Sequence, residues 1–123
     1  MSATSTNGPT WVYLDIAGAL EQVGDEVALQ DLMPMLQEML QRDLPQIANA
    51  LANGDVRSAN PLLHSMKGCL PIFCVRSLCD QLVQVEQLSK AGGAAEVGAA
   101  YAELAPKLQN LEQEVNRYLA QET

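Results

Sequence analysis

The chain contains one histidine, His64, in the run PLLHSMKG at positions 61–68. An imidazole ring is a nucleophile at near-neutral pH when one of its nitrogens is unprotonated and accessible. Lys67 follows one helical turn later, where its ammonium group could neutralise charge on a phosphoryl group attached to the ring. Gly68 costs a helix about 1 kcal/mol relative to alanine, and it would let a partner approach the ring. The spacing leaves two interpretations open, namely a nucleophilic site flanked by a cation and a solvated polar face with an incidental glycine.

A helical projection separates the residues around His64 into two faces. At about 100° per residue, the residues within about 60° of His64 are polar, small or proline: Arg57, Asn60, Pro61, Lys67, Gly68 and Pro71. The opposite side carries Ala59, Leu62, Leu63, Met66, Cys69, Leu70 and Phe73. The second group predicts the core stripe, so we expect His64 on the solvent face between Lys67 and the more distant Arg57.

The composition predicts one all-α domain. The chain has 123 residues, of which 48% are hydrophobic but only 4% aromatic, so its core must be largely aliphatic. The net charge of −8 leaves only seven Lys and Arg residues, and these are scattered. This distribution argues against a nucleic-acid binder and against an anionic membrane surface as a partner.

The ends and hydropathy of the chain predict a cytoplasmic protein. No stretch of about 18 apolar residues that could cross a bilayer occurs. Residues 1–10 are polar and lack the cationic start and apolar segment of a secretory signal. We expect them to be a disordered lead-in to a domain over residues 11–121.

Apolar residues at spacings of three and four predict the helices that must position His64. The expected bundle is an up-down antiparallel arrangement of four main helices plus a short N-terminal one, because the connections are short. In the short segment, Leu14, Ala17, Leu20 and Val23 share a face, and Pro34 and Pro45 should bend or break the long helix. The predicted segments are Trp11–Val23, Glu26–Ala52, a third from Asp55 into the early seventies, Val75–Ala91 and Ala94–Ala120, with a bend at Pro106.

Three cysteines follow His64 at intervals of five, namely Cys69, Cys74 and Cys79. The series raises the hypothesis of a metal site. Five residues advance a helix by about 140°, however, so successive members face different ways, and no C-x-x-C pair occurs. We therefore expect no metal ligands and predict reduced thiols that serve as small core residues.

The segment HSMKG at 64–68 resembles the H-x-[apolar]-K-G signature of histidine-containing phosphotransfer (HPt) domains. The resemblance extends to LP at 44–45, to ANGD at 52–55 and to Leu78, Leu82 and Glu86, and it covers nearly all of Trp11–Leu119. The chain departs from the family at Cys74, where glycine is usual, and at two prolines. We expect the third helix to end early or kink near Pro71, with Phe73 in the core. At Pro61 we expect either a kink or a second helix start capped by Asn60.

The resemblance implies a phosphoryl carrier in a two-component phosphorelay. His64 would accept a phosphoryl group from a receiver-domain aspartate and pass it to another receiver, in a hybrid sensor kinase or a response regulator. The receiver would supply Mg²⁺, so the chain itself needs no cofactor, and without a P-loop or kinase motif it would not phosphorylate itself.

The spacing and the resemblance together suggest roles for the neighbours of His64. Lys67 would stabilise the phosphoryl group, with lesser contributions from Lys90 and Arg57, and Gly68 would permit close approach. Glu86 would hold the histidine through Nδ1–H, unless it is an ordinary surface glutamate. Gln37 and Gln41 on the long helix are further residues that could reach the neighbourhood.

Three rival functions follow from the same residues. A non-catalytic helical module that binds a partner protein would not need His64. A metal-binding bundle would take up metal through its thiols. A conventional acid–base enzyme would need a constellation of titratable groups that one histidine and scattered carboxylates do not supply.

Overall fold

A computed structural model describes residues 11–122, and the predicted disordered lead-in at 1–10 lies outside this part. Helices make up 87% of it and it contains no strand, so the predicted all-α class is confirmed. The helices are α1 (Ile16–Val23), α2 (Glu26–Ala52), α3 (Val56–Phe73), α4 (Arg76–Ala91) and α5 (Ala94–Glu122). No helix in the described residues is both long enough and apolar enough to span a bilayer.

Aspartates begin three of the helices. Asp15, Asp25 and Asp55 each accept a hydrogen bond from the backbone N–H three residues further on, which satisfies a donor that has no partner within the helix. Gly24 and Gly54 follow α1 and α2 with φ angles of +109° and +74°, which an L side chain rarely adopts. These signals explain why the sequence predicts the end of α1, both ends of α2 and the start of α3 well.

The four long helices form a closed ring. The long helix α2 packs against α3 and α5, and α4 also packs against α3 and α5. Leucine and methionine fill the space between them, as the low aromatic content predicts. Among the largest fully buried side chains are Leu29, Met33, Leu36, Leu40, Leu63, Met66, Leu70, Leu82, Leu104 and Leu108.

The prediction of a helix throughout Trp11–Val23 is wrong at its start. Residues 11–15, here called the N-terminal strap, are not helical, and Leu14 pairs with Cys74 in an isolated antiparallel bridge. The backbone N–H of Asp15 donates to the carbonyl of Phe73 at 2.8 Å. Of the predicted apolar face, Leu14 is buried and Leu20 and Val23 pack against the core, whereas Ala17 is exposed and Ala19 is buried.

Glu114 of α5 fastens the strap. Its buried carboxylate accepts backbone N–H groups from three successive residues: Val12 at 3.0 Å, Tyr13 at 3.1 and 3.2 Å, and Leu14 at 2.9 Å. The guanidinium carbon of Arg117 lies 5.6 Å from the ring centroid of Trp11. The strap is therefore held on two sides, by the Glu114 carboxylate of α5 and by backbone hydrogen bonds to residues 73–75.

The prolines do not divide the helices. The long helix α2 runs through Pro34 and Pro45, so the predicted break does not occur, and α3 runs through Pro61 and Pro71 to Phe73. Helix α3 ends at Phe73, two residues after Pro71 and in the early seventies as predicted, whereas no second helix start capped by Asn60 occurs. Both α3 prolines are exposed, so water can hydrogen-bond to the carbonyls that lack an N–H partner. Phe73 is buried, as predicted.

The cysteines are free thiols in or near the core. Cys74 and Cys79 are buried and Cys69 is half-buried. Burial raises the pKa of all three thiols, which disfavours the reactive thiolate. Among the described residues, no group of three or more His, Cys, Asp and Glu side chains could hold a metal ion.

Candidate functional site

His64 lies in the middle of α3 with 65% of its side chain exposed. Its neighbours Leu63 and Met66 are fully buried, so the helix presents its apolar stripe to the core and the imidazole to solvent. The ring nitrogen Nδ1 lies 3.5 Å from Oε2 of Glu86 on α4. One nitrogen therefore faces the protein. Because the two nitrogens lie on different edges of the ring, Nε2 faces away from Glu86.

Glu86 is the buried centre of the site. Its side chain is fully buried, and Oε1 accepts a hydrogen bond from Lys67 Nζ at 3.2 Å. Lys90 Nζ lies 3.6 Å from Oε2. Burial raises the pKa of Glu86, but the hydrogen bond from Lys67 and the charges of both lysines outweigh it, so the pKa lies below its usual range. Glu86 is therefore a carboxylate at neutral pH, and its burial distinguishes it from an ordinary surface glutamate.

We call His64, Lys67, Glu86 and Lys90 the charged cluster. The Oε2 atom is buried, and no group among the described residues donates a hydrogen bond to it. His64 Nδ1 and Lys90 Nζ approach this oxygen only at the edge of hydrogen-bond distance. The cluster thus contains an acceptor that a small movement of the imidazole or the lysine would satisfy.

The surface over the charged cluster is open. A Cβ atom added to Gly68 would meet nothing within 4 Å, so no packing within the domain requires glycine there. The side chains of Lys67 and Lys90 are 28% and 56% exposed, which leaves both ammonium groups able to turn toward solvent. The arrangement can present a nucleophilic nitrogen and two cations to an incoming anion.

Arg57 does not join the charged cluster. It is exposed near the start of α3. There its charge adds to the hydrogen bonds of Ser58 in lowering the pKa of Asp55. None of the ion pairs found around Glu86 in the described chain includes it. Two turns of helix separate Arg57 from His64, which is further than the projection onto one face suggests.

The two glutamines on α2 also point elsewhere. Gln37 donates a hydrogen bond to Asn116 of α5 at 2.7 Å. Gln41 lies with Tyr101 and Gln109 in a cavity between α2 and α5. Both side chains therefore face α5, and the prediction that they could reach His64 is wrong.

A groove between α2 and α3 lies next to His64. Its volume is about 370 Å³, and Met35, which is 65% exposed, stands at its edge. Ser65, the residue after His64, is part of its wall. The lining is mostly apolar with charged residues at the rim: Leu32, Met35, Leu36, Glu38, Met39, Arg42, Ser65, Cys69, Ile72 and Phe73. The sequence could not select these residues, because the groove exists only once the two helices are packed.

A second polar link between α3 and α4 was not predicted. Asn60 Nδ2 donates to Ser89 Oγ at 2.7 Å, and Ser89 Oγ donates to the carbonyl of Glu86 at 2.6 Å. Ser89 is buried. The available signal was its position: Ser89 follows the apolar Val85 by four residues, so it is a polar residue on the inner face of α4.

The comparisons with known proteins identify one family. The model of the Hpt domain matches residues 31–117, which is most of the chain and includes the whole charged cluster. Searches of curated proteins and of solved structures found no match.

Proposed function

The chain belongs to the Hpt domain family, whose members are phosphocarrier modules in phosphorelays, and from this membership and the charged cluster we propose how it works. His64 accepts a phosphoryl group from the aspartyl phosphate of one receiver domain and passes it to another receiver. The domain is a carrier without kinase activity of its own. The observation that carries the proposal is the exposed His64 ring with Nδ1 turned toward the buried carboxylate of Glu86.

Glu86 prepares the nucleophile in this proposal. If Nδ1 carries the proton and donates it toward Oε2, the lone pair of the ring is on Nε2, which faces away from Glu86. In the transfer the bond from phosphorus to the aspartate oxygen breaks and a bond from phosphorus to Nε2 forms. The aspartate leaves as a carboxylate. The same steps in reverse deliver the group to the next receiver.

Lys67 and Lys90 supply the charge that phosphoryl transfer needs. The phosphoryl group carries negative charge to a position beside the imidazole, and catalysis of this reaction is mainly positioning and charge stabilisation. Both ammonium groups are partly exposed and lie within 4 Å of Glu86. We infer that they turn from the carboxylate toward the phosphoryl oxygens, with Lys67 the more important because it is closer to His64 in the helix.

The receiver docks over the charged cluster and the groove between α2 and α3. The groove adjoins His64 through Ser65 and provides an apolar surface with polar edges, as protein interfaces commonly do. Mg²⁺ belongs to the receiver in this proposal. We also propose that the four long helices run up and down in antiparallel order, which the pairwise packing around the ring supports. The cytoplasmic location stays a prediction.

The test is transfer of labelled phosphate. The chain is mixed with receiver domains phosphorylated with ³²P, and the expected product is label on this chain that is lost in acid and kept in base. A His64→Gln variant with unchanged helical content should carry no label. Label of equal intensity on that variant, or none on the wild type with a panel of receivers, would sink the proposal.

The same experiment separates the rival function. A helical module that only binds a partner protein would bind receivers equally well with His64 or with Gln at this position and would take up no phosphate. Binding and labelling are therefore measured on the same two proteins.

A further inference from the structure

We propose that Asn60 and Ser89 are positioning residues for phosphotransfer. Their hydrogen bond holds α4 at the position where Glu86 can accept a hydrogen bond from His64. This inference rests on the proposed function. Asn60 lies one turn before His64 on α3, and Ser89 lies three residues after Glu86 on α4. The pair therefore connects the two helices beside the charged cluster.

The hydrogen bonds of Ser89 fix the direction in which its hydroxyl acts. The hydroxyl donates to the carbonyl of Glu86 at 2.6 Å, so its lone pairs are free to accept, and Asn60 Nδ2 donates to it at 2.7 Å. Serine in a helix commonly bonds to a carbonyl of the preceding turn. Here that ordinary bond turns the oxygen toward α3 and links the neighbouring helix to the backbone of Glu86 itself.

The contact that this link protects is sensitive to distance. His64 Nδ1 and Glu86 Oε2 are 3.5 Å apart, just beyond the usual range of about 2.7–3.2 Å for N–H···O hydrogen bonds. A slide of α4 by a few tenths of an ångström would therefore decide whether Nδ1–H is held. Two side-chain pairs join α3 and α4, Asn60 with Ser89 and Lys67 with Glu86, and the earlier residue on α3 pairs with the later residue on α4. Because α4 is held at two points, it can neither slide nor rotate freely against α3.

The Asn60–Ser89 hydrogen bond should persist when His64 is phosphorylated, because it joins two neutral side chains. When Lys67 turns toward the phosphoryl group, its bond to Glu86 is lost. Asn60 and Ser89 are neutral and their bond is half-buried, so an incoming anion has no reason to compete for it. We infer that this pair maintains the position of Glu86 while the lysines exchange partners.

The test uses Ser89→Ala, which removes the hydroxyl and keeps a good helix former, with Ser77→Ala as the matched control. Ser77 lies on the exposed side of the same helix. The chain has one histidine, so ¹⁵N NMR gives its tautomer without ambiguity. We expect mainly Nδ1–H in the wild type and in Ser77→Ala, and a shift toward Nε2–H in Ser89→Ala.

A rate gives the second measurement. Phosphoramidate phosphorylates histidine directly: a bond from phosphorus to Nε2 forms, the phosphorus–nitrogen bond of the reagent breaks, and ammonia leaves after taking up a proton. We expect Ser89→Ala and Asn60→Ala each to slow this reaction about 5-fold, which is less than the roughly 100-fold effect of a 1 Å misplacement. Ser89→Thr keeps the hydroxyl and should restore the tautomer and the rate.

The outcomes separate this inference from the proposed function. Wild-type tautomer and rate in both Ser89→Ala and Asn60→Ala, or an equal loss in Ser77→Ala, would overturn the positioning role. The tautomer and the phosphoramidate rate need no receiver. A changed tautomer in a chain that no receiver can label would therefore support the positioning role while removing the proposed function. Circular dichroism and thermal unfolding establish that each variant is folded.

Discussion

Two glutamates are buried in the described part of the chain, and they are satisfied in opposite ways. Glu114 accepts backbone N–H groups from Val12, Tyr13 and Leu14, which cannot leave without moving the chain. Glu86 is surrounded by the side chains of Lys67, Lys90 and His64, which have solvent within reach.

The difference teaches how the same residue type serves structure or chemistry. A carboxylate that accepts hydrogen bonds from backbone N–H groups has fixed partners and stabilises the fold. One held by mobile cations can release them to a stronger anion and take them back afterwards. Burial alone does not distinguish the two, whereas the identity of the donors does.

The largest effect is expected for Lys67→Ala. Removing the ammonium group takes away charge stabilisation of the phosphoryl group, and loss of one such donor typically slows a reaction about 100-fold. The rate is measured by rapidly mixing each variant with a phosphorylated receiver and monitoring the transfer of the phosphoryl group over time. Lys107→Ala is the matched control because Lys107 bonds to Gln81 outside the cluster. Equal rates for the two variants would contradict the role of Lys67.

Glu114→Gln should lower the free energy of unfolding by about 2 kcal/mol, in the range expected for hydrogen bonds to a charged group. Both oxygens of Glu114 face backbone donors, so either orientation of the amide turns an NH₂ group against an N–H. Urea unfolding followed by circular dichroism measures the change. The rate of phosphotransfer should stay the same. A slowed transfer with normal stability would show that Glu114, like Glu86, serves the reaction and not the fold.

Glu86→Gln should slow phosphotransfer and change stability little, the opposite of the result expected for Glu114→Gln. Lys67 and Lys90 are partly exposed and can turn to water, so we expect a loss of stability below about 1 kcal/mol, as for exposed ion pairs. Phosphotransfer should slow about 10-fold, because a neutral amide stabilises Nδ1–H less well than a carboxylate. If this variant lost as much stability as Glu114→Gln and kept its rate, the comparison would be reversed.

The smallest effect is expected when the pH is lowered, in the stability difference between the wild type and Glu86→Gln. The folded-state pKa of Glu86 lies below its usual range. A group with a lowered pKa stabilises the fold above its unfolded-state pKa, and this contribution is lost as the pH falls through the folded-state value. The stabilities of wild type and Glu86→Gln should therefore converge as the pH falls below about 4.3, the usual pKa of glutamate, and through the lower folded-state pKa. Unfolding curves of both proteins at pH 7, 5 and 3 test this, and a difference that grows in acid would contradict the sign.

The helices were predictable because their signals are local. Asp25 and Asp55 cap helices within three residues of themselves, and apolar residues at spacings of three and four mark the core faces. Leu14 could not be placed in the same way. Its bridge to Cys74 depends on a residue 60 positions away in the chain, so the local apolar spacing predicts a first helical turn where the strap lies.

The site was predictable where it lies on one helix. His64, Lys67 and Gly68 follow from the spacing along α3. The resemblance to HPt domains suggested Glu86 on α4, and Lys90 follows from its position one turn after Glu86. The bond between Asn60 and Ser89 depends on how two helices pack and has no signal within either one alone. Arg57 shows the converse error, since residues on one projected face can still be too far apart along the axis.

The fastening of the strap has a spectroscopic consequence. Trp11 is the single tryptophan of the chain and lies on the strap, beside Arg117 and with its ring centroid 6.3 Å from that of Tyr118. Intrinsic tryptophan emission will therefore report the departure of the strap from α5 and not events at His64. A protein titrated with a phosphate donor should keep a constant emission spectrum, while one whose strap is released should show a red shift as the indole enters water.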